Sequence, residues 1–277
     1  MIQCNIQDRT VALASIYHGE KAEYFEEAMQ SVLSQTVRIP IAIVVDGPLS
    51  NELNRKIEQY SESIDYLFTL EENVGLAKAL QFALHQLVVD FDFVIRFDTD
   101  DVNLPNRFEK LVKKIGDLGA DLIGSNIEEF SAEQPTQVLG TRRVPTNAID
   151  IAGSVHLRNP FNHPSVAFRL KSALSAGGYE DMPFFEDWYL WAKMIKSGAK
   201  ISNLPESLVR FRSGHGALSR RRGFNYARQE MSFFISLYKL GLAGRWLVFF
   251  VLPARLTMRL LPVRIFRWTY FFSRRVA

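Results

Sequence analysis

Cysteine is nearly absent from this chain of 277 residues. Only Cys4 is present, so no internal disulfide can form, and we expect a reducing, cytoplasmic environment. One cysteine and five histidines without finger spacing exclude a zinc finger. The opening stretch, MIQCNIQDRTVALASIY, also lacks the charged and then apolar plan of a secretory signal. The composition therefore predicts a protein that is not exported.

Acidic side chains are absent from the C-terminal tail, residues 231–277. This tail carries eight lysines and arginines, whereas the rest of the chain holds 25 basic and 30 acidic residues. Its segment 245–277 is apolar, with arginines between the aromatic side chains at positions 255, 259, 264 and 267. The longest uncharged run of that segment, 246–254, is far shorter than the ~20 residues that cross a bilayer.

The tail has two interpretations. It forms either a C-terminal helical hairpin packed on the core, or amphipathic helices that lie in a membrane interface and are interrupted at Pro253 and Pro262. Anionic lipid headgroups attract basic segments, so the complete lack of acidic residues favours the second interpretation. We therefore expect the tail to contact a membrane surface.

Strands and helices are predicted to alternate in the first half of the chain. Short apolar runs predict buried strands at 10–17, 39–47, 64–70, 91–98 and 120–127. Apolar residues at helical spacing predict helices at 21–36, 51–62, 74–88 and 105–119. This alternation predicts an α/β fold with a mostly parallel sheet covered on both faces, which binds ligands beyond the carboxyl ends of its strands.

The alternation is weaker after residue 128. Strands are predicted at 136–145 and 163–170, and the segment 199–213 is predicted to form two short strands. Helices are predicted at 184–198 and 220–241.

Three carboxylates, Asp98, Asp100 and Asp101, follow the fourth predicted strand. One interpretation is a solvated turn in which Asp98 or Asp101 caps the next helix. A second is the Asp-x-Asp-x-Val motif of a haloacid dehalogenase-type phosphatase, with Asp98 as nucleophile, although the other motifs of that family do not follow. A third is a nucleotide-sugar site, in which two carboxylates hold a divalent ion that bridges a diphosphate.

Six short motifs occur in an order typical of one enzyme family: SVLSQT (31–36), IVVDG (43–47), ENVGLAKAL (72–80), RFDTDDVNLPNRFEK (96–110), NHPSVAFRL (162–170) and EDWYLW (186–191). On these motifs the chain resembles a family 2 glycosyltransferase of the GT-A fold. The stretch RRRGFNYARQE before a basic apolar end is similar to bacterial transferases of exopolysaccharide or O-antigen synthesis, the amylovoran-type subgroup.

The resemblance implies a GT-A, Rossmann-like sheet flanked by helices, with a helical, amphipathic and basic C-terminal extension. It divides the chain into a nucleotide-sugar-binding half (1–128), an acceptor-binding half (129–222) and a membrane-associating extension (223–277). The implied partners are a nucleotide-sugar and a polyprenyl-diphosphate-linked saccharide, and no nucleic acid. The implied location is the cytoplasmic face of the inner membrane, with peripheral attachment.

Residue roles on the donor side follow from the same resemblance. Asp46 would contact a uracil ring, Ser15 and Tyr17 would line the base pocket, and Asn73 belongs to the turn before the third helix. Lys78 would reach a phosphate, although Tyr17 also suits the core and Lys78 a solvated helix face. The arginines at 220–222, Arg220 among them, would clamp the diphosphate of the donor or of a lipid-linked acceptor, or would only form a solvated helix start. Asp100 would bind Mn²⁺ or Mg²⁺, Asp98 would lie nearer the ribose or a metal-bound water, and His215 would be a further metal ligand or only a loop residue.

A second carboxylate pair, Glu186 and Asp187, lies between aromatic residues at the start of a predicted helix. One interpretation is that an acid here interacts with the helix dipole. An apolar surrounding also raises the pKa of a carboxylate towards useful base strength. The resemblance implies that Asp187, or alternatively Glu186, takes the proton from the acceptor hydroxyl. It thus implies an inverting, metal-dependent transferase using a UDP-sugar, against the alternatives of a phosphatase or a non-catalytic membrane-bound scaffold.

Overall fold

Nine strands form one sheet in the computed structural model, which describes residues 6–213 and 221–261. They are β1 (Thr10–Tyr17), β2 (Ile41–Asp46), β3 (Tyr66–Thr69), β4 (Phe93–Arg96), β5 (Val102–Asn103), β6 (Leu122–Ser131), β7 (Gln134–Arg142), β8 (Ala167–Arg169) and β9 (Ile201–Arg212). The strand order is β3-β2-β1-β4-β8-β6-β9-β5, and β7 pairs with β6. Strands β1 to β4 are mutually parallel, as are β6 and β9, whereas β8 runs antiparallel to both β4 and β6.

Helices cover both faces of the sheet. They are α1 (Ala22–Leu33), α2 (Asn51–Gln59), α3 (Leu76–Leu87), α4 (Arg107–Leu118), α5 (Ala148–Ser154), α6 (Leu170–Ser175), α7 (Glu186–Lys196), α8 (Gly223–Lys239) and α9 (Leu252–Leu260). One core lies between the sheet and α3, α6 and α7, with Leu84 and Trp191 fully buried. The other lies between the sheet and α1, α2 and α4, with Phe25 and Phe108. Full burial of such side chains stabilises the fold by about 1.5–3 kcal/mol each.

The predicted α/β class is confirmed, and each strand and helix predicted up to residue 127 is present. β2 shows why the pattern is informative, because all six of its residues are buried, as expected for a strand covered on both faces. Beyond that point the structure differs from the prediction. The short helices α5 and α6 were not predicted, and the segment 163–170 forms a 3₁₀ turn, the three-residue strand β8 and the start of α6 instead of one strand.

The segment 199–213 was wrongly predicted as two strands, since β9 is continuous over twelve residues. Its pairing with β6 shifts register around Asn126, which allows Pro205 to lie within the strand. The side chain of Asn126 stabilises this irregularity by donating to the carbonyl of Pro205 at 2.6 Å. One strand therefore leads from the end of α7 to Arg212.

The C-terminal hairpin, α8 and α9, packs on α7 through a third apolar cluster that includes Trp188, Phe233 and Leu247. Glu230 of α8 is fully buried and binds both Arg255 and Arg259 of α9, each at 2.8 Å. Burial alone would raise the pKa of Glu230, but the hydrogen bonds and charges of the two arginines outweigh it, and this pKa is lowered. The expectation that Arg255 and Arg259 face a membrane is therefore wrong. Positions 264 and 267 lie outside the described residues.

Replacing Glu230 should weaken the attachment of α9. In Glu230→Gln, two arginines lose the charge that compensates them, and breaking such a buried pair costs about 3 kcal/mol. We expect the free energy of unfolding in urea to fall by about this amount. Glu206→Gln is the control, because its pair with Lys110 is largely exposed and should contribute less than about 1 kcal/mol. Equal stabilities of the two variants would contradict the proposed contribution of the Glu230 ion pairs with Arg255 and Arg259.

Candidate active site

The parallel strands bring their carboxyl ends to one edge of the sheet. Tyr17 at the end of β1 pairs with Asp46 at the end of β2, and Asp98 follows β4, the neighbour of β1 on its other side. Tyr17 is partly exposed at this edge, and the carbonyl of Ser15 accepts a bond from Thr99 at 3.4 Å. The structure therefore brings the residues predicted for the base pocket close to the predicted metal-binding turn.

Asp46 anchors the start of α3. It is buried, and its two carboxylate oxygens accept from the backbone nitrogens of Val74 at 2.7 Å and Gly75 at 3.0 Å. The side chain of Asn73 donates to the Asp46 carbonyl at 3.1 Å. Gly47 has φ +80°, and any side chain there would collide with the backbone nitrogen of Asn73, so glycine is required. One turn further on, Lys78 forms only a loose, exposed pair with Asp181 at 3.7 Å.

Asp98 is held by a buried arginine. Arg96 is fully buried, donates to Asp98 Oδ1 at 2.6 Å, and also donates to the carbonyl of Leu13. Arg107, at the start of α4, donates to the carbonyl of Arg96 and to Asn103 Oδ1. Burial lowers the pKa of Arg107 to about 9, so this side chain remains charged at neutral pH and adds positive charge near Asp98. The side chain of Asp98 remains 27% exposed to solvent.

Asp100 and Asp101 lie beside the end of β9. Asp101 is buried and accepts from the backbone nitrogen of Arg212 at 2.8 Å, so it supports β9 and not the start of α4, which begins after Asn106. Arg212 Nε donates to the carbonyl of Asp100 at 2.8 Å, and its guanidinium also binds Glu27. The interpretation that the acidic turn only caps a helix is therefore wrong.

Negative charge remains concentrated around Asp100. Burial, and after it the charges of Asp98 and Glu20, raise the pKa of Asp100 to about 7. Burial and the charges of Asp100 and Asp98 also raise the pKa of Asp101, whose Oδ2 has no hydrogen-bond partner among the described residues. Such carboxylates favour a cation among them. Asp98 and Asp100 are thus suited to hold a divalent ion.

The second pair of carboxylates begins α7. It follows Phe184, which has φ +71°, a value that non-glycine residues rarely adopt and that marks a tight turn. Asn159 donates to Asp187 Oδ2 at 2.7 Å. Burial, and then the charges of Asp187 and Asp98, raise the pKa of Glu186 to about 7, and Glu186 Oε2 has no partner within the described part of the chain.

A buried polar network lies between the two carboxylate clusters. His163 faces Arg96 Nε at 3.4 Å and Tyr179 Oη at 3.0 Å, and the charges of Asp98 and Asp187 both act on this histidine. The sequence analysis did not identify Arg96, His163 or Tyr179 as functional. Two signals were available, since Arg96 opens the motif RFDTDDVNLPNRFEK and His163 belongs to NHPSVAFRL, whereas Tyr179 lies in neither motif.

Two predicted site residues, His215 and Arg220, lie outside the described residues. Across 6–213 and 221–261, no group of three or more His, Cys, Asp or Glu side chains has an arrangement that could hold a metal ion. In this part of the chain the candidate donor set is the pair Asp98 and Asp100, which would fill two of the roughly six positions around such an ion. Magnesium and related ions commonly keep water and phosphate oxygens in their other positions.

Comparison with known proteins agrees with this geometry. A family model described as Glycosyl transferase family 2 matches residues 15–178. An uncharacterized glycosyltransferase of Haemophilus influenzae is 37% identical, over 93% of this chain and 96% of that protein. The amylovoran biosynthesis glycosyltransferase AmsE of Erwinia amylovora is 33% identical, over 93% and 96%. A UDP-Gal:alpha-D-GlcNAc-diphosphoundecaprenol beta-1,3-galactosyltransferase of Escherichia coli is 32% identical, over 93% and 94%.

Solved structures show the same fold at low sequence identity. Staphylococcus aureus TarS 1-349 in complex with UDP-GlcNAc superposes with a TM-score of 0.64 at 16% identity, over 83% of this chain and 66% of that one. The mannosyltransferase PcManGT from Pyrobaculum calidifontis, in complex with GDP-Man and Mn²⁺, superposes with a TM-score of 0.65 at 14% identity, over 90% and 72%. The predicted GT-A fold is thereby confirmed.

Replacing Glu186 should change the pH dependence of stability. Its folded-state pKa of about 7 exceeds the ordinary value of 4.5, so the folded state binds more protons between these values and loses stability as the pH rises through them. This penalty is absent below 4.5 and complete above 7. At about 1.4 kcal/mol per pKa unit, Glu186→Gln should gain roughly 2–3 kcal/mol relative to wild type between about pH 5 and pH 8.

Urea unfolding across this pH range measures the effect. Glu58→Gln is the control, because Glu58 is exposed on α2 and should follow the wild type at every pH. A Glu186→Gln variant whose stability runs parallel to the wild type would show that Glu186 titrates as an ordinary exposed carboxylate.

Proposed function

The chain belongs to glycosyl transferase family 2, and from this premise we propose that it transfers a sugar, with inversion, from a UDP-sugar to a hydroxyl of a polyprenyl-diphosphate-linked saccharide. The observation that carries the proposal is the joining of two carboxylate clusters, Asp98–Asp101 and Glu186–Asp187, at one sheet edge. One relative is named for amylovoran biosynthesis, and the Escherichia coli one is named for a UDP-sugar donor and a diphosphoundecaprenol-linked acceptor. Family membership also removes the phosphatase alternative.

The donor would lie along the carboxyl ends of β1, β2 and β4. Tyr17, Ser15 and Asp46 would face the uracil ring, and Asn73 would stabilise the adjacent turn.

Lys78 would contact a phosphate of the donor. Because Lys78 forms only a loose pair with Asp181, its ammonium group can exchange partners at little cost. Arg220, which lies outside the described residues, would complete the diphosphate contacts. In this arrangement residues 1–128 bind the donor and residues 129–222 bind the acceptor.

Asp98 and Asp100, joined by His215, would hold Mn²⁺ or Mg²⁺. When bound, the ion neutralises the diphosphate that leaves the sugar. The fold buries Asp100 beside the charges of Asp98 and Glu20 at this site, and the pKa of Asp100 is therefore raised to about 7. A bound cation would reverse this rise, because it stabilises the ionised carboxylates.

Asp187 would act as the general base. Asn159 binds its Oδ2, which fixes the carboxylate and leaves Oδ1 to accept the proton of the acceptor hydroxyl. As that proton moves to Asp187, the acceptor oxygen forms its bond to the anomeric carbon and the bond to the diphosphate breaks on the opposite side. One displacement of this kind inverts the anomeric configuration. Glu186 is the alternative base, because its pKa of about 7 suits proton transfer at neutral pH.

Asp187→Asn and Asp100→Asn should separate chemistry from donor binding. We expect a thermal-shift panel of UDP-, GDP- and dTDP-sugars, with and without Mn²⁺, to show Mn²⁺-dependent stabilisation of the wild type by a UDP-sugar. Asp187→Asn should keep this shift and lose transfer by about 100-fold or more, since general-base catalysis contributes that much. Asp100→Asn should lose the Mn²⁺-dependent part of the shift.

Three outcomes would contradict this function. Undiminished transfer in excess chelator would reject the metal, and stabilisation by GDP-sugars alone would reject uridine as the base. A wild-type protein that binds none of the donors would instead favour a non-catalytic scaffold.

We also propose that the C-terminal extension, 223–277, attaches the enzyme peripherally to the cytoplasmic face of the inner membrane. Among the residues that the structure describes, none of the helices has both the length and the apolar character to cross a bilayer. The support is an exposed aromatic surface, Trp246, Phe249 and Phe250, whose side chains are 63%, 68% and 69% exposed. Aromatic residues of this kind insert into the headgroup region of a bilayer.

Removing this aromatic surface should reduce membrane binding. We expect the triple variant W246S/F249S/F250S to sediment with vesicles of phosphatidylglycerol and phosphatidylethanolamine at least about tenfold less strongly, since each buried aromatic side chain contributes about 1.5–3 kcal/mol. V138S/L139S/I149S is the control, because these apolar residues of β7 and α5 are also exposed, at 47%, 54% and 84%. Equal sedimentation of both triple variants would reject the proposed attachment surface.

A further inference from the structure

The guanidinium of Arg96 is the central group of the buried network. Its Nη2 binds Asp98 Oδ1 at 2.6 Å, its Nη1 donates to the carbonyl of Leu13, and its Nε points to His163 Nε2 at 3.4 Å. Leu13 lies directly opposite Arg96 in the pairing of β1 with β4. Arg96 therefore links the donor-side carboxylate to β1 on one side and to His163 on the other.

The contacts define the protonation state of His163. A guanidinium only donates hydrogen bonds, so the Nε2 that faces Arg96 must be the unprotonated nitrogen of a neutral ring. Burial, and then the charge of Arg96, lower the pKa of His163, although the charges of Asp98 and Asp187 act in the opposite direction. Tyr179 Oη lies 3.0 Å from the same Nε2, so its O–H and the N–H of Arg96 share the one lone pair of this nitrogen, and the contact to Tyr179 is the shorter of the two.

Tyr179 is itself fixed on several sides. It is buried, its backbone nitrogen donates to Gln81 Oε1 of α3 at 2.8 Å, and its ring packs against Trp191 of α7. His163 packs against the same tryptophan. The hydroxyl of Tyr179 therefore has a defined direction, and the path Gln81–Tyr179–His163–Arg96 ends at Asp98.

Stability alone does not account for this network. Replacing a buried polar group by an apolar side chain of similar volume generally leaves the stability of a protein unchanged or raises it. The reason is that the apolar side chain avoids the cost of desolvating the polar group. The surrounding core, which includes Phe168 and Trp191, is apolar, and its packing does not require a polar side chain such as an imidazole. A polar path that ends on a donor-side carboxylate instead points to control of that carboxylate.

We propose that His163 and Tyr179 are positioning residues of the donor site, which hold Arg96 so that Asp98 keeps one orientation. Neither residue touches the donor; both act through Arg96 on Asp98. The inference rests on the proposed function only in taking Asp98 as a donor-side residue. It predicts that losing either contact weakens binding of the donor and leaves the chemical step at Asp187 nearly unchanged.

Tyr179→Phe and His163→Leu test the proposal. Tyr179→Phe removes one hydrogen bond of the network and keeps the packing on Trp191, whereas His163→Leu removes the contacts of His163 with both Arg96 and Tyr179. We expect either change to weaken the binding of UDP in the presence of Mn²⁺, measured by calorimetry, by about tenfold, as for the loss of one directed hydrogen bond. The donor KM should rise by a similar factor, with kcat within about twofold. Tyr66→Phe, which loses a hydroxyl in the same core beside β2, should change neither constant.

A double-mutant cycle distinguishes positioning from a general loss of structure. If His163 acts through Asp98, then adding His163→Leu to Asp98→Asn should weaken UDP binding no further, because interacting residues are not additive. Full additivity in this cycle, or unchanged affinity in both single variants, would overturn the proposal. If His163→Leu does not fold, the same cycle with Tyr179→Phe decides. A wild type that binds no nucleotide would reject the proposed function together with this inference, whereas normal wild-type binding with unaffected variants would reject the inference alone.

Discussion

Negative charge gathered at the end of β4 has to be compensated before this edge of the sheet can be buried, and arginines from three elements do so. Arg96 of β4 binds the side chain of Asp98, and Arg107 of α4 adds a positive charge near it. Arg212 of β9 donates from its guanidinium to the Asp100 carbonyl and from its backbone nitrogen to Asp101 Oδ1. Buried carboxylates without such partners would be protonated or would repel one another. The acidic turn thus connects β4 and α4, which flank it in the sequence, with the distant strand β9.

The same compensation explains how the two carboxylate pairs can work together. The charges of Asp98 and Asp187 both act on His163, and Trp191 of α7, the helix that carries Asp187, packs against this histidine. The C-terminal hairpin packs against the other side of α7, and Arg255 donates to the carbonyl of Leu157, near Asn159. The orientation of Asp187 therefore depends on packing that includes the tail.

Sequence periodicity was sufficient for the first half of the fold, because β1 to α4 are elements whose burial pattern is local. It was insufficient for β9, since the continuity of this strand through Pro205 depends on Asn126 of its partner strand. The carboxylates at 98–101 and 186–187 were identified because acidic residues at the ends of apolar elements are conspicuous. Arg96, His163 and Tyr179 were not assigned a role, because the contacts that join them are between residues distant in the sequence and appear only in the tertiary structure.

The long strand β9 has a consequence for how this protein can change in evolution. It starts just after α7 and ends at Arg212 beside the acidic turn, so it sets the separation between the two carboxylate pairs. Adjacent side chains of a strand face opposite sides, and a single insertion or deletion within β9 would turn the guanidinium of Arg212 away from the carbonyl of Asp100. Length variation among descendants of this gene should therefore accumulate in exposed segments such as the β6–β7 hairpin, while the residue count of β9 stays constant.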